Sequence, residues 1–197
     1  RQYLKRVEKL IRKRQRKPQS LPSKSRLPTV DRLLICDIDH TLIGDREALQ
    51  ALLKRLEQSG EHIGFGIATG RHLSSARKIL KEWGVPAPDL FITSAGTEIH
   101  YGSQLTQDTV WQRILNYRWQ PETIRKTMAK FPGLKLQPKG EQGRFKISYY
   151  VDSNKARSAR EIVRYLRRHD IHAHLLYSHE AYLDVVPMRA STGAAIR

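Results

Sequence analysis

Two aspartates separated by one residue follow an apolar run. In the segment LLICDIDHTLIGD these are Asp37 and Asp39, and Thr41 follows two positions later. Two carboxylates at the end of a buried strand repel each other and resist desolvation, so they need a cation or another partner to remain charged. Magnesium with a phosphate ester provides one, because this hard ion binds few carboxylates and keeps several waters. The pattern indicates phosphate chemistry, and the alternative is an ordinary acidic turn after a strand.

A threonine and a glycine end a second apolar run. In the segment IATGR these are Thr69 and Gly70, followed by Arg71 and His72. The hydroxyl can bind phosphoryl oxygens, the glycine lets the backbone approach an anion, and a helix predicted to begin near Leu73 would present free amides to it. Arg71 and His72 could add charge, although an arginine at a helix start is more often a surface residue.

The two segments at this separation resemble the haloacid dehalogenase-like hydrolases, whose first motif is D-x-D-x-T. The resemblance implies that Asp37 attacks phosphorus and forms an aspartyl-phosphate, while Asp39 protonates the leaving oxygen and later activates water. It also implies that Asp37 and the main-chain carbonyl of Asp39 hold Mg²⁺. The phosphoryl group would be bound by Thr41, Thr69, Gly70 and Arg71.

The family's third motif is a lysine that follows an inserted lobe. The matching stretch here is VVPMRASTG, with Thr192 at the lysine position, so Thr192 takes that place in the predicted phosphate site. Arg189 could substitute in part, but its planar fork is not geometrically equivalent to a lysine. The fourth motif, which completes the magnesium site in the family, would lie beyond Arg197. We therefore expect the chain as given to hydrolyse weakly or not at all.

Longer segments narrow the resemblance to the sucrose-phosphate phosphatase branch, which implies sucrose 6-phosphate or a related sugar phosphate, such as a mannosyl derivative, as substrate. The segments are LLICDIDHTLIGD, IATGRHLSSARKIL, PDLFITSAGTEIHY, FKISYYVD and LDVVPMRASTGAAIR. In that branch a cap binds the sugar, and the corresponding residues here are Gly96, Thr97, Glu98, Gln142, Lys146 and Ser148. Lys146 and Ser148 share one face of a predicted strand, and a solvated strand face is an equal alternative.

Strand and helix patterns alternate over the first half of the chain after residue 32. Strands are predicted at 33–36, 63–68 and 90–93, and helices at about 46–58 and 73–83. This order predicts an α/β fold with a Rossmann-like parallel-sheet hydrolase core, whose ligands gather at the carboxyl ends of the strands.

From about residue 97 the pattern predicts an inserted α+β cap domain. It comprises hairpin-like pieces at TEIHY and TVWQRI, a helix near 121–131, a strand at FKISYYVD, a helix near 153–169 and strands at IHAHLLY and YLDVVP. A last helix is predicted to begin at Gly193. The predicted division is core at 32–104, cap at 105–186 and core again at 187–197.

The basic excess is concentrated at the N-terminus. Residues 1–26 contribute +10 of the formal charge of +17, and residues 1–17 have the spacing of an amphipathic helix followed by a proline-containing linker at 18–31. This layout resembles bacterial sucrose-phosphate synthases, in which a glycosyltransferase domain precedes a phosphatase-like one, so the helix is predicted to end such an upstream domain. Nucleic-acid binding through the helix is a weaker alternative.

Two further expectations concern location. The single cysteine, Cys36, excludes an internal disulfide framework and fits a reducing cytoplasm. No run of about eighteen apolar residues exists, so no membrane partner is predicted.

Overall fold

The computed structural model describes residues 27, 30–59, 62–178 and 181–197. The predicted helix at 1–17 and most of the predicted linker at 18–31 lie outside these residues. Within the described ranges, no helix combines the length and the apolar character that a membrane span requires.

The first sheet contains the strands that carry the two phosphate motifs. Its strands follow in the order of the chain: β1 (Arg32–Cys36), β2 (Ile63–Ala68), β3 (Leu90–Thr93), β4 (Glu98–Tyr101) and β5 (Thr106–Gln107). β1, β2 and β3 are parallel, whereas β4 and β5 are antiparallel to their neighbours. The predicted alternation and the α/β fold are confirmed, but the sheet is mixed rather than wholly parallel.

Two helices connect the parallel strands and bury one apolar face each. They are α1 (Arg46–Gln58) and α2 (Leu73–Glu82). The Asp45 side chain caps α1 by accepting a hydrogen bond from the Ala48 amide at 3.0 Å, which satisfies one of the free amides of the first turn. Leu49 of α1 and Leu80 of α2 pack against Phe65 of β2 in a shared core. These contacts fix the strand ends from which the motifs emerge.

The second sheet is antiparallel and has the order β6-β7-β9-β8. Its strands are β6 (Leu134–Leu136), β7 (Ile147–Val151), β8 (Ala173–Ser178) and β9 (Tyr182–Pro187), and the remaining helices are α3 (Thr109–Leu115), α4 (Pro121–Met128), α5 (Ala159–Arg168) and α6 (Thr192–Ile196). α4 and α5 cover one face of this sheet, where Ile124 and Leu166 pack with Leu183 and Val185.

Strand β9 contacts both cores because neighbouring side chains of a strand point to opposite faces. Leu183 and Val185 belong to the core beneath α4 and α5. Val186 instead packs with Ala68 and Ile92, which lie at the ends of β2 and β3. The second face of the four-stranded sheet is therefore directed toward the strand ends of the first sheet.

The prediction for TVWQRI was wrong, because these residues form α3 rather than a hairpin piece. The Asp108 carboxylate caps the helix by accepting a hydrogen bond from the Trp111 amide at 2.8 Å. Trp111 and Leu115, four residues apart, are both buried on one face. This capping and burial outweigh the strand preference of the valine and tryptophan.

Other boundaries also differ from the predictions. α5 begins at Ala159 rather than near 153, because Ser158 and Glu161 form a capping box there. α4 ends at Met128, α6 begins at Thr192, and β6 was not predicted.

The prediction of a buried first strand was wrong. β1 is only partly buried, and Leu33 is 37% exposed, because β2 is its one partner within the described sheet. The predicted domain boundaries at 104 and 186 stay predictions. β5, which lies just after the first of these boundaries, pairs with β4 of the first sheet.

Candidate active site

The ends of β1, β2 and β3 come together at one edge of the first sheet. The Thr69 amide donates a hydrogen bond to the Ile92 carbonyl at 2.9 Å, and the Ser94 amide donates to the Arg71 carbonyl at 2.8 Å. These bonds link the turn after β2 to the turn after β3. Parallel strands place their following loops on the same side, so this edge is where an α/β sheet binds ligands.

The turn after β1 holds the two aspartates. Its buried residues Ile38 and Leu42 anchor it, and His40 between them has a φ of 56°. The Asp37 Oδ1 atom accepts a hydrogen bond from the Ile38 amide at 2.7 Å, and the Asp37 side chain is exposed. A non-glycine residue in this backbone region is strained, and such strain is frequent at functional sites. The turn therefore presents the Asp37 carboxylate outward.

Arg71 and Asp39 form a bidentate ion pair. Arg71 Nε donates to Asp39 Oδ2 at 2.8 Å, and Nη2 donates to Oδ1 at 2.7 Å. The hydrogen bonds from Arg71 hold the pKa of the Asp39 carboxyl below its usual range. Arg71 Nη1 also donates to Ser75 Oγ at 3.1 Å, which orients the guanidinium from α2. Asp39 is therefore ionised, with both oxygens engaged.

Thr69 and Gly70 leave groups available to an anion. Thr69 is 2% exposed, and its Oγ1 accepts a hydrogen bond from the Arg71 amide at 3.2 Å, so the hydroxyl proton remains free to be donated. A side chain placed on Gly70 would meet no atom within 4 Å. The space beside Gly70 is open, which is consistent with a ligand approaching the backbone there.

His72 connects the first sheet to a loop of the second. Its Nδ1 lies 3.2 Å from Ser94 Oγ, and its Nε2 lies 3.5 Å from Glu141 Oε2. The sequence indicated a basic residue at this position, but not these partners, which come from distant segments of the chain.

Gly96 lies against the start of α6. Its φ is +84°, and a side chain there would come within 2.5 Å of the Ser191 carbonyl oxygen and the Thr192 amide nitrogen. The Ser191 Oγ accepts a hydrogen bond from the Ala194 amide at 3.0 Å and so caps α6. The structure therefore brings Thr192 next to the turn after β3. The Arg189 guanidinium lies 4.7 Å from the Tyr117 ring centroid, where it makes a cation–π contact.

Thr97 and Glu98 follow Gly96 and are held by local bonds. Thr97 Oγ1 donates to the Ser94 carbonyl at 2.9 Å, and Glu98 Oε2 accepts from Thr93 Oγ1 at 3.2 Å. Glu98 keeps a second carboxylate oxygen for another donor.

The predicted sugar-binding residues of the cap form a polar cluster on the second sheet. Gln142 Oε1 accepts from the Ser148 amide, while its Nε2 donates to the carbonyls of Ser148 and Gln137, all at 3.0 Å. Both Gln142 donors are thus engaged, so only lone pairs on Oε1 remain for a ligand. Ser148 Oγ donates to Asp184 Oδ1 at 2.6 Å, and Lys146 Nζ lies 3.6 Å from Asp184 Oδ2.

Asp184 was missed by sequence reasoning. Alternation in YLDVVP places Asp184 on the other face of the strand from Leu183 and Val185. Its partner Ser148 can be identified only when the register of β7 and β9 is known. Thr41 is exposed, and no hydrogen bond joins its side chain to the other candidate residues within the described ranges.

The oxygen donors near Asp37 can hold a hard cation. Asp37 has an exposed carboxylate with one oxygen on the Ile38 amide, and the main-chain carbonyl of Asp39 is close in sequence. Among the described residues, no group of three or more His, Cys, Asp or Glu side chains could hold a metal ion. One carboxylate and one carbonyl fit magnesium, which keeps several waters, better than a metal that needs a complete protein cage.

Comparison with known proteins identifies phosphatases among the relatives of this chain. A family model described as sucrose-6F-phosphate phosphohydrolase matches residues 30–197. The chain is 32% identical over 178 residues to "Probable sucrose-phosphatase 2" of Arabidopsis thaliana, covering 87% of this chain and 42% of that protein. It is 28% identical to a mannosylfructose-phosphate phosphatase of Agrobacterium fabrum, over 84% of this chain and 67% of the relative. The chain thus spans about two-fifths of the length of the plant relative.

Solved structures give the same result. The sucrose-phosphatase from Synechocystis sp. PCC6803, in complex with sucrose and phosphate, has a TM-score of 0.76 and 29% identity, covering 85% of this chain and 68% of that one. A haloacid dehalogenase-like hydrolase from Bacteroides thetaiotaomicron has a TM-score of 0.52 and 13% identity, covering 85% of this chain and 74% of that one. This likeness supports the fold alone. The chain belongs to the sucrose-6F-phosphate phosphohydrolase family.

Proposed function

We propose that the protein is a magnesium-dependent phosphomonoesterase that releases phosphate from sucrose 6-phosphate. The observation that carries the proposal is the meeting of Asp37, Asp39, Thr69 and Arg71 at the ends of β1 and β2, in a chain of this family. Because the chain spans only part of its relatives, the proposal concerns the longer protein as well as these residues.

The reaction consists of two displacements at phosphorus. An Asp37 carboxylate oxygen forms a bond to phosphorus while the bond to the sugar oxygen breaks, and Asp39 gives a proton to that oxygen. A water then loses a proton to Asp39 and attacks phosphorus, which releases inorganic phosphate and restores the Asp37 carboxylate. Thr69 donates its hydroxyl proton to a phosphoryl oxygen and the Gly70 backbone lies beside it, so these residues orient the group for in-line attack.

Arg71 can serve both carboxylate and phosphate. In its present position it keeps Asp39 ionised, the state required to accept a proton from water. To donate a proton in the first displacement, Asp39 must first be released from Arg71 and take up a proton from solvent. A phosphoryl group beside Thr69 offers the guanidinium an alternative bidentate partner. We infer that Arg71 moves from Asp39 to the phosphoryl group when substrate binds.

A magnesium ion would be held by the Asp37 carboxylate and the Asp39 main-chain carbonyl. When bound, it would neutralise charge on the phosphoryl oxygens and on Asp37. Thr192, whose main-chain amide lies beside Gly96, stands where the resemblance places the family's lysine, so positive charge must come from Arg71 and the cation.

A second candidate function is a non-catalytic sugar-phosphate-binding or regulatory domain of a sucrose-phosphate synthase. Thr192 at the lysine position and the closed pair of Arg71 and Asp39 favour it. The proposed context is a parent chain with an upstream glycosyltransferase domain in the cytoplasm. A mannosyl-sugar phosphate is the alternative substrate, as the name of the Agrobacterium relative suggests.

Phosphate release separates the two candidates. Sucrose 6-phosphate and magnesium are incubated with the full parent protein and with its Asp37→Asn variant. If the protein is a phosphatase, the variant loses activity by a factor of about 10³ or more, because the nucleophile is removed. Equal rates for the two proteins reject catalysis through Asp37, and calorimetric binding of sucrose 6-phosphate without turnover supports the binding domain instead.

A further inference from the structure

A polar pair lies on the face of the four-stranded sheet that is directed toward the first sheet. Ser148 and Asp184 are paired across β7 and β9, and Lys146 lies two residues before Ser148 on the same face. Val186 continues this face of β9 and packs with Ala68, the residue before Thr69. Lys146, Ser148 and Asp184 therefore face the side of the molecule that carries the phosphate site.

Lys146 is a buried ammonium with unused donors. Its side chain is 6% exposed, and its nearest charge partner is Asp184 Oδ2 at 3.6 Å, which is longer than a hydrogen bond. In the part of the chain that the structure describes, Lys146 Nζ makes no side-chain hydrogen bond. A desolvated ammonium is costly unless its three N–H groups find acceptors. An oxygen-bearing ligand would supply the missing acceptors.

Asp184 offers a matching free acceptor. Its Oδ1 is engaged by Ser148 at 2.6 Å, and Oδ2 accepts no hydrogen bond from the described residues. The Asp184 side chain is 22% exposed, so a ligand can reach it. A carboxylate oxygen and an ammonium 3.6 Å apart are complementary to a hydroxyl group, which donates one hydrogen bond and accepts another.

The geometry points to Asp184 as a specificity-determining residue that reads a sugar hydroxyl together with Lys146. The hydroxyl donates to Asp184 Oδ2 and accepts from Lys146 Nζ, while Ser148 holds the Asp184 carboxylate in place through Oδ1. This inference rests on the proposed function, since it assigns the polyol part of the same substrate. A site built this way rejects a ligand that lacks the hydroxyl, because the buried polar groups are then left unpaired.

Calorimetric titration tests the inference with two probes, sucrose and orthophosphate. Asp184→Asn is expected to weaken sucrose binding about ten- to a hundredfold, the cost of losing a hydrogen bond to a charged acceptor. Orthophosphate affinity is expected to stay unchanged, because the phosphate contacts belong to Thr69 and Arg71. Asp170→Asn is the matched control, since Asp170 is an exposed cap carboxylate paired with Arg118 and His172.

A second variant guards against a folding defect caused by leaving Lys146 unpaired. Asp184→Asn combined with Lys146→Met removes both charges, which keeps the buried site neutral. It should bind sucrose no more tightly than Asp184→Asn alone, because the two residues act on one hydroxyl. Wild-type affinity for sucrose in either variant overturns the inference.

Three other outcomes also count against it. A parallel loss of orthophosphate affinity would assign Asp184 a merely structural role. Wild-type protein that releases phosphate from sucrose 6-phosphate, with an unchanged KM in Asp184→Asn, overturns this inference but leaves the proposed function standing. Wild-type protein that neither binds sucrose nor releases phosphate overturns both.

Discussion

At the scale of single residues, the ion pair between Arg71 and Asp39 determines whether Asp39 can act as a proton donor. The motifs predicted that both side chains would lie near the phosphoryl group, but they did not predict that Arg71 and Asp39 would pair with each other. That pairing depends on the relative positions of two loops that are separated by 32 residues in the chain. Side-chain types can be read from a sequence, whereas such a partnership needs the folded arrangement.

Replacing Arg71 by glutamine should weaken orthophosphate binding. The glutamine cannot offer the bidentate charged fork, so we expect a loss of about tenfold in affinity, measured by calorimetric titration. Arg77→Gln is the control, since Arg77 is exposed on α2, the helix that follows the turn containing Arg71. Equal affinities for the two variants would mean that Arg71 serves only Asp39.

The polar cluster on the second sheet was also only partly predictable from the sequence. The shared face of Lys146 and Ser148 could be predicted from the period of a strand. Asp184 could not, because its assignment requires the pairing register of two strands that are 36 residues apart at this point.

At the scale of elements, most helices and strands could be predicted, because each has a strong apolar period or a clear cap. α3 could not, since a short segment with valine and tryptophan is ambiguous until burial of Trp111 and Leu115 selects the helix. The three-residue strand β6 is too short to produce a pattern. The antiparallel turn from β3 to β4 also escaped prediction, because it depends on unusual backbone at Ser94 and Ala95, whose φ values are 53° and 59°.

The turn after β3 should tolerate substitution poorly at Gly96. Gly96→Ala places a methyl group against the backbone of Ser191 and Thr192 at a φ of +84°. Overpacking and backbone strain together should lower the free energy of unfolding by about 2 to 5 kcal/mol in urea denaturation. Gly140→Ala is the control, because the new methyl group there meets nothing within 4 Å. If the two variants are equally stable, α6 does not pack on this turn as described.

At the scale of the whole molecule, a buried histidine makes stability depend on pH. His100 of β4 is 8% exposed, and its Nδ1 has no hydrogen-bond partner within the described residues. Burial lowers the pKa of His100 below its ordinary value, so the folded protein favours the neutral ring. The unfolded chain takes up the proton first as pH falls below about 6.5. This contribution to stability is therefore present above that pH and is lost below it.

The His100→Gln variant tests this dependence by urea denaturation at pH 7.5 and pH 5.0. Between these pH values the wild type should lose more of its free energy of unfolding than the variant, which has no imidazole to protonate. His174→Gln replaces an exposed histidine and should behave like the wild type. A wild type and a His100→Gln variant with the same pH dependence would contradict the expected effect of burial.

Strand β9 has a consequence for how such enzymes can be diversified. Leu183 and Val185 complete the interior beneath α4 and α5, whereas Val186 completes the interior of the first sheet. A foreign lobe therefore cannot be joined to this chain as an independent unit, because β9 contributes side chains to two cores. Any chimera must accept or redesign the side chains of β9 on both faces. We therefore expect a changed ligand preference to be reached more readily by point changes around Asp184 than by exchange of the entire lobe.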